Sequence, residues 1–124
     1  MKTIIDSKQA ERLKEVCEKY GVKLPDFWYH SQSSDIGEHC TDLKNNFGYI
    51  SLTELLEWLP DVISAKHYQR GLYTWTNDTA GYKAPENSLC VSNKTVVEFE
   101  CGHLVDALFE LFCWTIENGY YKGV

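Results

Sequence analysis

The sequence predicts an α+β domain with two N-terminal helices, a three- to four-stranded antiparallel meander, and a long buried C-terminal helix packed on the sheet. Three observations carry that prediction. The stretch from Gly102 to Gly119 is apolar nearly all the way round a helix; the region from Ala65 to Cys101 alternates short β-rich runs with turn residues; and two capping boxes precede amphipathic patterns in the N-terminal half. With 124 residues, the chain suits a single domain, 1-124, with one core.

Asp6-Ser7-Lys8-Gln9 fits a capping box, and Ala10, Leu13, Val16, Cys17 and Tyr20 follow at helical spacing until Gly21 ends the helix. The charged outer face marks it as a peripheral helix. Phe27-Trp28-Tyr29-His30 is an aromatic run suited to a strand, whereas Ser31 to Asn46 is polar and aperiodic and reads as a long loop. Ser51-Leu52-Thr53-Glu54 opens a second, short helix whose Leu52, Leu55, Leu56 and Leu59 share one face and which Pro60 stops. Trp58 lies off that face.

Tyr68 to Trp75, Gly81 to Ala84, Leu89 to Val91 and Thr95 to Phe99 are the expected strands, with turns at Asn77-Asp78, Pro85-Glu86-Asn87 and Ser92-Asn93-Lys94. Such short connections imply antiparallel pairing. In the last helix only Asp106, Glu110, Thr115 and Glu117 are left for water, and Asn118-Gly119 supplies the cap.

A hydrophobic content of 44% and 14% aromatic residues exclude a disordered chain. No run approaches the roughly 18 apolar residues that cross a bilayer, and the start turns charged before a signal-peptide core forms, so a soluble cytoplasmic protein is expected. Five cysteines without framework spacing point to reduced thiols. The net charge of −6 is uneven: residues 1 to 24 carry six basic and four acidic groups, and residues 98 to 124 carry one and five. That balance argues against nucleic-acid binding through a basic surface.

The residues Leu55-Leu56-Glu57-Trp58-Leu59-Pro60, Tyr82, Asp106-Ala107-Leu108 and Trp114-Thr115-Ile116-Glu117-Asn118-Gly119-Tyr120 resemble a loose group of small uncharacterised proteins. That group belongs to phages, prophages and other mobile elements of Bacteroides-type gut bacteria. Its pattern is a short leucine-rich helix ending in Trp-Leu-Pro, a few strands, and a final helix reading Asp-Ala-Leu and then Trp-Leu-Ile-Glu-Asn-Gly. Thr115 departs from it, standing where Leu is usual. The resemblance implies a fold and a setting, the host cell cytoplasm, and no catalytic residue.

Four constellations could carry chemistry. His39, Cys40, Cys101 and His103 are the ligand types of tetrahedral zinc, although adjacent His39 and Cys40 do not aim easily at one ion. Cys40 or Cys101 near His30, His39 or His103, with Asp35 or Glu38 as orienter, holds the ingredients of a thiol nucleophile; inert buried thiols explain the same residues more simply. Glu98 with Glu100, and Asp106 with Glu110, are paired carboxylates for which solvated faces are the plainer account. The aromatic residues Trp28, Tyr29, Tyr68, Tyr73, Trp75, Tyr82, Tyr120 and Tyr121, interleaved with Lys66, Arg70 and Lys83, are types enriched at interfaces and stacking pockets.

These constellations rank three expectations. The first is a non-enzymatic accessory protein without cofactor that binds a host protein, as a host-defence antagonist would, through Trp28, Tyr29, Asp35, Glu38 and Asp42 and the sheet edge. The second is a sequestering protein for a small nucleotide-like ligand held by Arg70, Trp75, Tyr82 and Lys83. The third is a thiol- or metal-dependent hydrolase.

Overall fold

The computed structural model describes residues 2–24, 27–30, 37–40, 50–65, 68–83 and 95–121. In chain order the elements are α1 (Ser7–Tyr20), β1 (Phe27–His30), β2 (Gly37–Cys40), α2 (Leu52–Trp58), β3 (Val62–Ala65), β4 (Tyr68–Trp75), β5 (Thr79–Lys83), β6 (Thr95–Glu100) and α3 (Leu104–Glu117). Strands β3 to β6 form a four-stranded antiparallel sheet in sequence order, the expected meander. Strands β1 and β2 pair separately as a hairpin, with Phe27 opposite Cys40 and His30 opposite Gly37.

The apolar C-terminal helix is the centre of the fold. Val105, Ala107, Leu108, Phe109, Leu111, Phe112, Cys113 and Ile116 are all buried, with β5 and β6 on one side of α3 and α1 and α2 on others. Each large apolar side chain withdrawn from water in this way stabilises the fold by about 1.5–3 kcal/mol. Gly119 at φ 77 closes the helix: the Tyr120 and Gly119 N–H groups donate to the Thr115 and Ile116 carbonyls at 2.8 and 3.2 Å. This is the Schellman pairing that a left-handed glycine permits. Tyr120 then stacks on Trp114, ring centroids 5.3 Å apart.

Both N-terminal helices start where their caps predict. Asp6 accepts from the Gln9 N–H while the Gln9 side chain accepts from the Asp6 N–H, and Gly21 at φ 65 ends α1. The Ser51 hydroxyl accepts from the Glu54 N–H and donates to the Glu54 carboxylate, and Leu59 leaves helical geometry ahead of Pro60. The N-terminal segment is held by backbone bonds from Ile5 N–H to Ile50 and from Leu52 N–H to Thr3.

Several expectations need correction. Tyr20 and Leu56, assigned to buried faces, are exposed, because α1 and α2 each present only a narrow stripe to α3. Thr115 is buried, since its hydroxyl donates to the Phe112 carbonyl at 2.7 Å and so needs no water. The stretch read as a loop from Ser31 to Asn46 contains β2, whose Gly37-Glu38-His39-Cys40 has no apolar alternation to announce it; only pairing with β1 makes it a strand. Strand β3 follows Pro60 too closely to show a period, and β5 begins at Thr79 rather than Gly81. The expected strand Leu89 to Val91 and the turns at Pro85-Glu86-Asn87 and Ser92-Asn93-Lys94 lie outside the described residues.

Candidate functional site

Because side chains alternate across a strand, the sheet sorts its chemistry onto two faces. Ile63, Ala80 and Tyr82 belong to the core that α3 covers, with Leu72, Val97 and Phe99 packed against it. The outer face carries Tyr73 and Trp75 from β4, Thr79 and Lys83 from β5, and Glu98 and Glu100 from β6, which together line an open groove of about 400 Å³.

The register arranges these residues in rows. Tyr73 stands opposite Gly81 and Gly81 opposite Glu98; in the next row Trp75 stands opposite Thr79 and Thr79 opposite Glu100. Gly81 is what lets the first row close. A Cβ there would lie 2.3 Å from the Val97 carbonyl oxygen and 3.1 Å from Cε1 of Tyr73, so the tyrosine ring crosses a position that has no side chain. The Tyr73 hydroxyl donates to the Glu98 carboxylate, and the Lys83 ammonium sits 4.8 Å from the Tyr73 ring centroid. In the second row buried Thr79 stands between Trp75 and Glu100, and Trp75 is 68% exposed. An indole this exposed loses the burial that stabilises its kind elsewhere.

The four residues assigned to a nucleotide-like ligand do not share this groove. Trp75 and Lys83 line it, whereas Arg70 is 1% exposed and Tyr82 is fully buried on the core side. The Tyr82 hydroxyl donates to the Pro60 carbonyl at 2.7 Å, its ring packs against Trp114, and burial pushes its phenol far up. Positional parity was the signal that separates them: on β4, residues 70 and 75 fall on opposite faces, as do neighbours 82 and 83 on β5. The same parity would have assembled Tyr73, Trp75, Glu98 and Glu100. Tyr120 and Tyr121 belong to the rim of the core, with Tyr121 edge-on to Phe112, as Trp58 is tilted against that same ring.

Of the residues assigned to a protein-binding loop, Trp28 and Tyr29 lie on β1 opposite His39 and Glu38 in the ladder, while Asp35 and Asp42 lie outside the described residues. His39 and Cys40 are consecutive positions of β2; Cys101 and His103 precede α3, with His103 at its N-cap and exposed. Among the described residues no group of three or more His, Cys, Asp or Glu is arranged to hold a metal ion.

The described thiols are poor nucleophiles. Burial, then the charges of Glu110, Asp106 and Asp78, push the Cys101 thiol up, against the thiolate its place before a helix would favour. Burial takes Cys17 to about 11 and Cys113 to about 12. The carboxylates Asp106 and Glu110 bind the N-terminal segment and α1: Asp106 accepts from Lys2 at 2.6 Å and Gln9 at 2.8 Å, and Glu110 pairs with Arg12 at 2.5 Å.

A second hollow of about 550 Å³, between Tyr20, Val22 and the C-terminal turn of α3, has one charged group among the described residues that line it, the Glu117 carboxylate. Fold and face thus define a small α+β domain that buries one helix under a sheet and turns an aromatic, acidic sheet face outward. Comparison of the chain with protein-family models, curated proteins and solved structures finds no match. No helix among the described residues is long and apolar enough to cross a membrane.

Proposed function

We propose that the protein is a non-enzymatic accessory protein of a phage or mobile element that binds a protein of its host, in the cytoplasm, through the outer face of the sheet. Antagonism of host defence is the role that fits the setting implied by the sequence resemblance. The observation that supports this reading is the exposure of Trp75 beside Tyr73 in an open groove, since Trp and Tyr are the residues most enriched where proteins bind one another. A nucleotide-like ligand suits the groove less well: Glu98 and Glu100 outnumber Lys83 there and repel phosphate. A thiol hydrolase suits the raised thiols no better.

The test is affinity capture from the cytoplasm of a Bacteroides-type host, using the wild-type chain, Trp75→Ala, and Tyr20→Ala as a control exposed elsewhere. A host protein retained by wild type and Tyr20→Ala and lost with Trp75→Ala is the expected result. Retention indifferent to Trp75 would remove the sheet face from the mechanism.

A further inference from the structure

We propose that the outer face of the sheet receives a basic peptide segment of its partner, with an arginine seated between Trp75 and Glu100. The inference rests on the protein-binding reading and adds the chemistry of what is bound. Trp75 and Glu100 flank Thr79 in one row across three strands, so their backbones stand two inter-strand steps apart, about 10 Å. Thr79 between them is 5% exposed, and its hydroxyl donates to the Asp78 carboxylate at 2.9 Å, which leaves its lone pairs to accept. An open groove that offers an exposed indole and, across the row, a carboxylate matches a guanidinium, which is planar, stacks on aromatic faces and pairs with carboxylates.

The neighbouring row shows the same chemistry with a cation of the chain's own. There the ring is Tyr73, the carboxylate Glu98 and the cation Lys83, whose ammonium lies over the ring. The Trp75 row repeats the ring and the carboxylate one step along the strands. Among the described residues Glu100 makes no ion pair, and no cation lies over Trp75. The wider charge agrees, since the chain carries −6 and Glu98 and Glu100 outnumber Lys83 among the described residues that line the groove, which draws a basic segment to this face.

The experiment follows the indole N–H resonances of the full ¹⁵N-labelled chain, with that of Trp75 assigned by its loss in Trp75→Phe. The probe is a capped peptide of glycine, serine and two arginines, compared with peptides in which citrulline or glutamate replaces arginine. Citrulline keeps the shape of arginine and removes its charge. The arginine peptide is expected to shift the Trp75 indole and the Glu100 amide saturably, leaving the Trp114 indole unmoved, while the citrulline and glutamate peptides do neither. Glu98→Gln with Glu100→Gln weakens binding about tenfold, and Lys83→Met, which removes a like charge, strengthens it about threefold. Opposite effects from two surface changes cannot both come from lost folding.

The inference is overturned if the Trp75 indole does not move, if citrulline binds as well as arginine, or if the glutamine pair binds undiminished. Host-protein capture that needs Trp75 but ignores Glu98→Gln and Glu100→Gln would sink the basic partner and keep the protein-binding reading. Arginine-peptide binding without any Trp75-dependent capture would do the reverse.

Discussion

Lys2 and Asp106, 104 positions apart in sequence, form an ion pair of 2.6 Å that fastens the N-terminal segment to the first turn of the buried helix. Gln9 donates to the same carboxylate oxygen, so the residue that completes the capping box of α1 also clasps α3. An acid in the first turn of α3 also complements the helix dipole.

Asp106→Asn should therefore lower stability near neutral pH by up to about 1 kcal/mol, the scale of a partly exposed ion pair. Burial raises the Asp106 pKa, but the bonds from Lys2 and Gln9 outweigh it and hold the folded value below the ordinary 3.8. The stabilisation is complete above 3.8 and is lost as pH falls through the folded value. Lys2 runs the other way: burial lowers it, its bonds to Asp106 and Asp6 raise it further, and its share disappears as pH rises past 10.5 and through the folded value. Urea melts of wild type and Asp106→Asn across pH should converge at both extremes and differ between them.

Gly81→Ala should cost about 1–3 kcal/mol, because the added carbon meets the Val97 carbonyl, part of the β6 backbone, where no flexible side chain can give way. Gly71→Ala on the neighbouring strand meets nothing within 4 Å and should melt within about 0.5 kcal/mol of wild type. If the two melts coincide, the close approach of β6 to Gly81 is wrong.

Cys17 and Cys113 should resist alkylation at neutral pH in the folded protein. Their thiols are buried and held up at about 11 and about 12, which leaves little thiolate to react. Peptide mapping after iodoacetamide treatment should find both unmodified until denaturant is added, with partly buried Cys101 labelled ahead of them. Rapid labelling of Cys113 in the native protein would contradict the packing of α3.

Leu108→Asp should abolish the cooperative melt. Leu108 is fully buried in α3, and an unpaired carboxylate placed there costs several kcal/mol, comparable with the stability of a domain this size. Thermal denaturation followed by circular dichroism decides it, and a retained sharp transition would mean that α3 is not the centre of the core.

How legible each part was follows from the range of the forces involved. Caps and glycine stops are decided within a few residues, so Asp6 with Gln9, Ser51 with Glu54, Gly21 and Gly119 could be read directly. The apolar wrap of Leu104–Glu117 required a buried helix wherever it packed. Strands β2 and β3 escaped because four residues are too few to show a period, and their hydrogen bonds go to partners elsewhere in the chain. The candidate site was legible by halves. Tyr73, Trp75 and Lys83 belong to one aromatic and basic set in the sequence and Glu98 with Glu100 to a separate acidic pair, and no local signal joins the two sets.

Sequence alone determined the α+β class, the helix ends and the burial of α3, because these depend on local hydrogen bonding and on how much apolar surface must leave water. Only the tertiary structure decided which polar residues meet. Register across β4, β5 and β6 sends Arg70 and Tyr82 inward and sets Trp75 in line with Glu100, and the packing of α1 on α3 turns Asp106 and Glu110 from solvated acids into ion-pair partners. Side-chain direction reverses with every residue of a strand, and an ion pair acts over a few ångströms between segments far apart in sequence, so neither is specified until the chain has folded.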